Sequence, residues 1–158
     1  MLACLITNQA PRSIQSRNLP QYKKYLINEF HHHGYSSSEK PFSFSLYSKV
    51  IYIHRSRKAP VDVDNMSKPL VDAFNGIIYS DDNIINHRVC SKISRHDINA
   101  YELNLTVLPD AVAEKFDEYL ENDSEHILYY EVGTFSESMV FAGAENSAPY
   151  IGGEQDEA

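Results

Sequence analysis

The apolar and polar positions of this 158-residue chain fall into a series of distinct patterns. LACLIT, Leu2 to Thr7, is a short apolar run that predicts a first strand. A polar loop with two prolines, Asn8 to Pro20, follows it. In QYKKYLINEFHHHG the residues Tyr22, Tyr25, Leu26, Glu29 and Phe30 recur at helical spacing, and Gly34 is a natural stop. FSFSLYSKVIYIH, Phe42 to His54, alternates and is rich in aromatic and β-branched residues, which predicts a long strand. Met66, Leu70, Ala73 and Phe74 mark a second helix that closes at Asn75-Gly76. IINHRVCSKISR and AYELNLTVL predict two more strands, the second carrying Tyr101, Leu103, Leu105 and Val107 on one face. The order is strand, helix, strand, helix, strand, strand: an α+β domain with helices packed on a single mixed sheet.

Pro109 punctuates this pattern. Beyond it, DAVAEKFDEYLEND predicts an amphipathic helix with Asp110 as cap and Val112, Phe116, Tyr119 and Leu120 on its apolar side. HILYYEVGTF is a candidate strand, and the last stretch is small, polar and acidic, the composition of a mobile tail. The sequence therefore divides into a domain over residues 1–109 and an acidic C-terminal extension over residues 110–158.

Composition changes the picture only through charge. Hydrophobic content of 42% and charged content of 23% are those of an ordinary globular protein. No apolar run approaches the roughly 20 residues of a membrane helix. The start lacks the basic region of a signal peptide. Cys4 and Cys90, without CxxC spacing, suggest neither a disulfide framework nor a zinc site, so a cytoplasmic location is expected. The net charge of −8 is unevenly spread: residues 1–109 carry 13 Lys and Arg against 9 Asp and Glu, and residues 110–158 carry 1 against 13. Five of those nine acids lie within residues 61–83, which leaves a basic body around one acidic locus.

That locus, VDVDNMSKPLVDAFNGIIYSDDN, raises the chemical question. Like charges crowded together are unfavourable unless water, a proton or a cation relieves them. Asp62 and Asp64 are one residue apart, so on an extended segment both face the same way. A helix of about a dozen residues and a short return would bring Asp82 back beside them. Three carboxylates at one point suit a hard cation such as magnesium. Each part also has a plainer reading: Asp64-Asn65 as a helix cap, Asp81-Asp82-Asn83 as a turn, Lys68 and Asp72 as a surface ion pair. An EF-hand is excluded, because Ser67 and Ala73 occupy its glycine and terminal glutamate slots.

Taken whole, D-x-D-N-x-x-K-P-x-x-D-A-x-N-G-x-x-Y-x-D-D resembles the signature of the RusA family of Holliday junction resolvases. Here it comprises Asp62, Asp64, Asn65, Lys68, Pro69, Asp72, Ala73, Asn75, Gly76, Tyr79, Asp81 and Asp82. The resemblance implies a homodimeric, magnesium-dependent endonuclease of branched DNA, with manganese as a substitute ion, and makes residues 1–109 the nuclease domain. It makes Asp62, Asp64 and Asp82 the essential carboxylates, with Asp81 beside them at the metal, Lys68 the catalytic lysine, and Asn65 and Asp72 supporting residues. Ile84 departs from the pattern, standing where the family often has Gln.

The surrounding cations fit a nucleic-acid partner. Arg12, Arg17, Lys23 and Lys24 precede or open the first helix, Arg55, Arg57 and Lys58 lead to the aspartates, and Arg88, Lys92 and Arg95 follow them. Lys92, ten residues after Asp82, matches a lysine of the family. His31 to His33 point in different directions on a helix and suit its C-terminus better than a metal. Tyr22, Tyr25, Tyr47 and Tyr52 are read as core or dimer-face aromatics. The acidic extension is read first as a packed helix followed by solvated acidic residues, and a sharper reading has it compete with DNA for the basic surface. The alternatives to junction resolution are cleavage of flaps or forks, and non-catalytic binding of DNA junctions or a protein partner.

Overall fold

The computed structural model describes residues 1–56, 61–96 and 104–140. Its elements are β1 (Ala3–Thr7), α1 (Leu19–His33), β2 (Tyr35–Ser36), β3 (Leu46–His54), α2 (Val63–Ala73), β4 (Ile85–Ser94), α3 (Asp110–Glu121) and β5 (His126–Thr134). The fold is α+β, with a single mixed sheet in the order β2-β1-β5-β3-β4. β5 runs antiparallel to both its neighbours, with Ala3 opposite Val132 and Val50 opposite Tyr130. β3 and β4 are parallel, and α2 is the crossover that parallel neighbours require. Among the described residues no helix is long and apolar enough to cross a membrane.

Alternation along the strands builds two cores. Ala3, Leu5, Val50, Tyr52, Leu128, Tyr130 and Val132 face α1 and α2, where they bury Leu26, Met66, Leu70 and Phe74. Cys4, Ile6, Ile53, Ile127 and Tyr129 face the other way, onto Val112, Phe116 and Tyr119 of α3. Tyr22 and Tyr52 are core residues, whereas Tyr25 and Tyr47 are half-buried. His31, His32 and His33 occupy the last turn of α1, as its C-terminal charge preference suggests.

Several expectations need correction. β3 begins at Leu46, and Phe42 instead forms an isolated bridge with Tyr79. Pro109, not Asp110, is the N-cap of α3. The strand expected at Ala100–Leu108 lies partly outside the described residues, and Leu105–Val107 is a 3-10 turn. Its cause is local: the Asn104 side chain accepts the Thr106 amide at 3.2 Å and the Thr106 hydroxyl at 2.6 Å, diverting groups that a ladder would use. Residue 109 is likewise no boundary in the fold, because the central strand β5 comes from beyond it. The tail expected at the C-terminus lies outside the described residues.

The charge imbalance is partly settled within this one body. Asp123 pairs with Arg55 and, at 3.4 Å, with Arg95. Glu131 of β5 accepts hydrogen bonds from Lys49 at 3.1 Å, Tyr47 at 2.8 Å and Tyr129 at 2.7 Å. Burial works to raise the Glu131 pKa, but these hydrogen bonds and the Lys49 charge hold it below the ordinary carboxylate value. Deleting residues 110–158 would therefore remove the middle of the sheet, not a detachable competitor for DNA.

The Tyr47 ring reaches Glu131 by crossing β5 at Gly133, where an added Cβ would lie 2.3 Å from a ring carbon. Gly133→Ala should then displace a ring pinned by its hydroxyl and destabilise the fold by about 1–3 kcal/mol in urea unfolding. In a Tyr47→Ala background the same substitution should be close to neutral. Equal effects in both backgrounds would show that the ring does not set the constraint.

Candidate active site

α2 carries the acidic locus because its two sides differ. Met66, Leu70, Val71, Ala73 and Phe74 are buried, while Asp64, Lys68 and Asp72, spaced by four, form a polar row on one face. Asp62 is the N-cap residue, but its side chain makes no cap hydrogen bond. Asp64 lies in the first turn, where the helix dipole favours negative charge. Both carboxylates are exposed, and neither has an ion-pair or hydrogen-bond partner among the described residues. Pro69 is buried within the helix and lacks the amide that the Asn65 carbonyl would otherwise accept from.

The return from α2 fixes the other half of the locus. Gly76 adopts φ +76°, the left-handed conformation that glycine accepts without strain. Its amide donates to the Tyr79 carbonyl at 2.7 Å. Tyr79 is fully buried, and its hydroxyl donates to the Val71 carbonyl at 2.6 Å and lies 3.2 Å from the Tyr130 hydroxyl. One aromatic side chain thereby ties the return to α2 and to the central strand. Asp81 and Asp82 follow two and three residues later. The Asp81 carboxylate accepts the Asn83 amide at 2.9 Å and shapes the turn. The Asp82 carboxylate instead meets Lys68.

Lys68 is the hub of the site. Its ammonium donates to Asp72 Oδ1 at 2.6 Å and to Asp82 Oδ2 at 3.1 Å. The other oxygen of Asp72 faces Lys23 Nζ of α1 at 3.4 Å. Lys23, Asp72, Lys68 and Asp82 thus form an alternating chain of charges across α1, α2 and the turn before β4. Among the described residues no three His, Cys, Asp or Glu form a ready-made metal cage. The structure presents two unpaired carboxylates at the start of α2 and a third held by the lysine one turn further on.

The flanking cations divide into groups. Arg88, Cys90 and Lys92 lie opposite Ser48, Val50 and Tyr52, on the side of β4 that faces α2. Lys92 Nζ reaches the Val61 carbonyl at 3.4 Å, beside Asp62. Burial, together with the charge of Asp64, pushes the Cys90 thiol to about 11, so that carboxylate is within electrostatic reach of β4. Arg88 is exposed and helps lower the Asp82 pKa. Arg12 and Arg17 are exposed in the loop before α1. Arg55 turns away to Asp123 and the Asp123 carbonyl. Arg57 and Lys58 lie outside the described residues. The sequence pattern did not show that Lys23 binds Asp72, since 49 residues separate them.

The pairing has a pH window. The hydrogen bond from Lys68 holds Asp82 below its ordinary 3.8, so this contribution is present above that value and is lost as pH falls through the lower folded-state value. Hydrogen bonds to Asp72 and then Asp82 raise Lys68 above 10.5, so its contribution persists below that value and fades as pH rises through the folded-state value. In chelator-treated protein, Lys68→Met should lower the urea midpoint by a constant small amount between about pH 5 and pH 10. The difference should shrink as pH falls below 3.8 through the lower folded-state value of Asp82. A difference that grows with acidity would contradict the pairing.

A family description, endodeoxyribonuclease RusA, matches residues 9–105 and includes all five acids and Lys68. No curated protein matches the chain. The match extends from the loop before α1 through β4 to the turn at Leu105, which is 97 of 158 residues. With that coverage, and with Lys68 joining Asp72 to Asp82 as one connected site, the chain belongs to the RusA endodeoxyribonuclease family.

Proposed function

We propose that this protein is a magnesium-dependent endonuclease that resolves four-way (Holliday) junctions in DNA recombination and repair, acting in the cytoplasm as a homodimer. One observation carries the reading: Asp62 and Asp64 stand uncompensated at the head of α2, one turn from a lysine that already holds Asp82. A structural ion-pair network would neutralise its acids, and this one leaves two exposed. Membership in an endodeoxyribonuclease family supplies the reaction class.

The donor set fits magnesium. Magnesium is commonly held by one or two carboxylates, waters and substrate phosphate rather than a complete protein cage. Asp62 and Asp64 are free oxygen donors, and Asp82 is the third carboxylate, while Asp81 is already engaged in the turn. Bound there, magnesium would neutralise the phosphate oxygens and acidify a water for attack. Lys68 brings a positive charge to the negative charge that develops in the transition state. Asp72 keeps that ammonium in place, and Asn65 belongs to the same first turn of α2. Arg12, Arg17, Arg88 and Lys92 are the cations best placed to contact the phosphate backbone, and Arg57 and Lys58 extend the same basic sequence.

The Asp62 and Asp64 carboxylates lie on exposed surface, as a duplex requires, and Asp82 is half-buried beside Lys68. A cavity of about 240 Å³ lined by Lys49, Ile51, Phe116, Tyr129 and Glu131 opens on the opposite face of the sheet. Two copies related by a two-fold axis would present paired sites to a substrate of similar symmetry.

A synthetic four-way junction incubated with and without magnesium tests this reading. The wild type should make paired nicks only with the metal, and Asp82→Asn should lose at least about 100-fold in turnover while retaining junction binding. Preferential cutting of flaps or forks would move the substrate assignment. Binding without incision by either protein would favour a non-catalytic role.

A further inference from the structure

We infer that Lys23 of α1 is a positioning residue for Lys68, acting through Asp72, rather than a contact for DNA phosphate. The inference rests on the catalytic reading of Lys68 above. Lys23 and Lys68 approach the same carboxylate from different helices, Lys23 at Oδ2 (3.4 Å) and Lys68 at Oδ1 (2.6 Å). A single negative charge shared between two ammonium groups holds each less firmly than it would hold one. Lys68 then has a second direction available, and the structure shows it taken, at 3.1 Å from Asp82. Without Lys23, Asp72 would be compensated by Lys68 alone and would draw that ammonium back along α2.

Burial and neighbours support the assignment. The Lys23 side chain is 30% exposed and Asp72 23%, so the pair is partly withdrawn from solvent. Lys24, the next residue, is exposed and makes no hydrogen bond or ion pair among the described residues. Two adjacent lysines of the same helix therefore do different work: Lys24 faces solvent, and Lys23 sets the balance of charge around Asp72. Neither periodicity nor charge count distinguishes them.

The test combines kinetics with a readout that needs no catalysis. Lys23→Met should lower kcat on a four-way junction about tenfold with KM nearly unchanged, because a displaced ammonium loses orientation rather than binding. Lys23→Arg should restore most of the rate. In an Asp72→Asn background, Lys23→Met should have no further effect. The ammonium resonance of Lys68, assigned with Lys68→Arg, should shift in Lys23→Met. The inference is overturned by a raised KM with a weaker salt dependence and unchanged kcat, or by an undiminished effect in the Asp72→Asn background. A Lys68 resonance unchanged by Lys23→Met overturns it as well. If the wild type cuts no branched DNA, the proposed function fails, and the resonance still decides whether Lys23 positions Lys68.

Discussion

The repulsion among five aspartates within 21 residues is the constraint around which the site is built, and Lys68 is its internal answer. By bonding Asp72 on its own helix and Asp82 across the turn, it ties the end of the crossover to the helix that began it. Its compensation is incomplete. Asp62 and Asp64, at the head of the same helix, are left to the helix dipole and to solvent. We propose that this division between acids already paired and acids left exposed is what lets the site recruit a cation.

The fold places these charges through buried groups away from them. Tyr79 carries most of the placement: held by the Val71 carbonyl and beside Tyr130 of the central strand, it fixes where the chain re-emerges as Asp81 and Asp82. β5 is in turn held on both faces, by Leu128, Tyr130 and Val132 on one and Ile127 and Tyr129 on the other. The Glu131 cluster adds a polar connection on the side away from the carboxylates. The catalytic proposal therefore depends on residues well beyond the segment that carries the signature.

Much of this was legible in the sequence, and the rest was hidden for identifiable reasons. The face of α2 follows from its spacing, and a helix of that length closed by Asn75-Gly76 returns Asp82 to α2, where it meets Lys68 rather than joining Asp62 and Asp64 in a cage among the described residues. HILYYEVGTF reads as a strand and is β5, but its central place was hidden, because AYELNLTVL alternates apolar and polar residues as a half-buried strand does, whereas HILYYEVGTF is apolar on both sides. Two-sided apolarity is the requirement of a central strand, whatever its position along the chain. The partners of Lys23, Lys49 and Arg55 could not be read, because such pairs form between elements whose packing must already be known. Net charge misled in the same way: an acidic C-terminal segment looked detachable, yet Asp123 and Glu131 bind cations of the basic half.

The central claim is that one divalent ion draws the head of α2 and the turn before β4 together. Titrating manganese into ¹⁵N-labelled protein and following the backbone amides tests it most directly. The amides of Asp64, Asn65, Lys68 and Asn83 should broaden together at substoichiometric metal, while that of Glu131 stays sharp. Broadening that spares Asn83, or that spreads evenly over exposed acids such as Glu114 and Glu118, would contradict a shared ion.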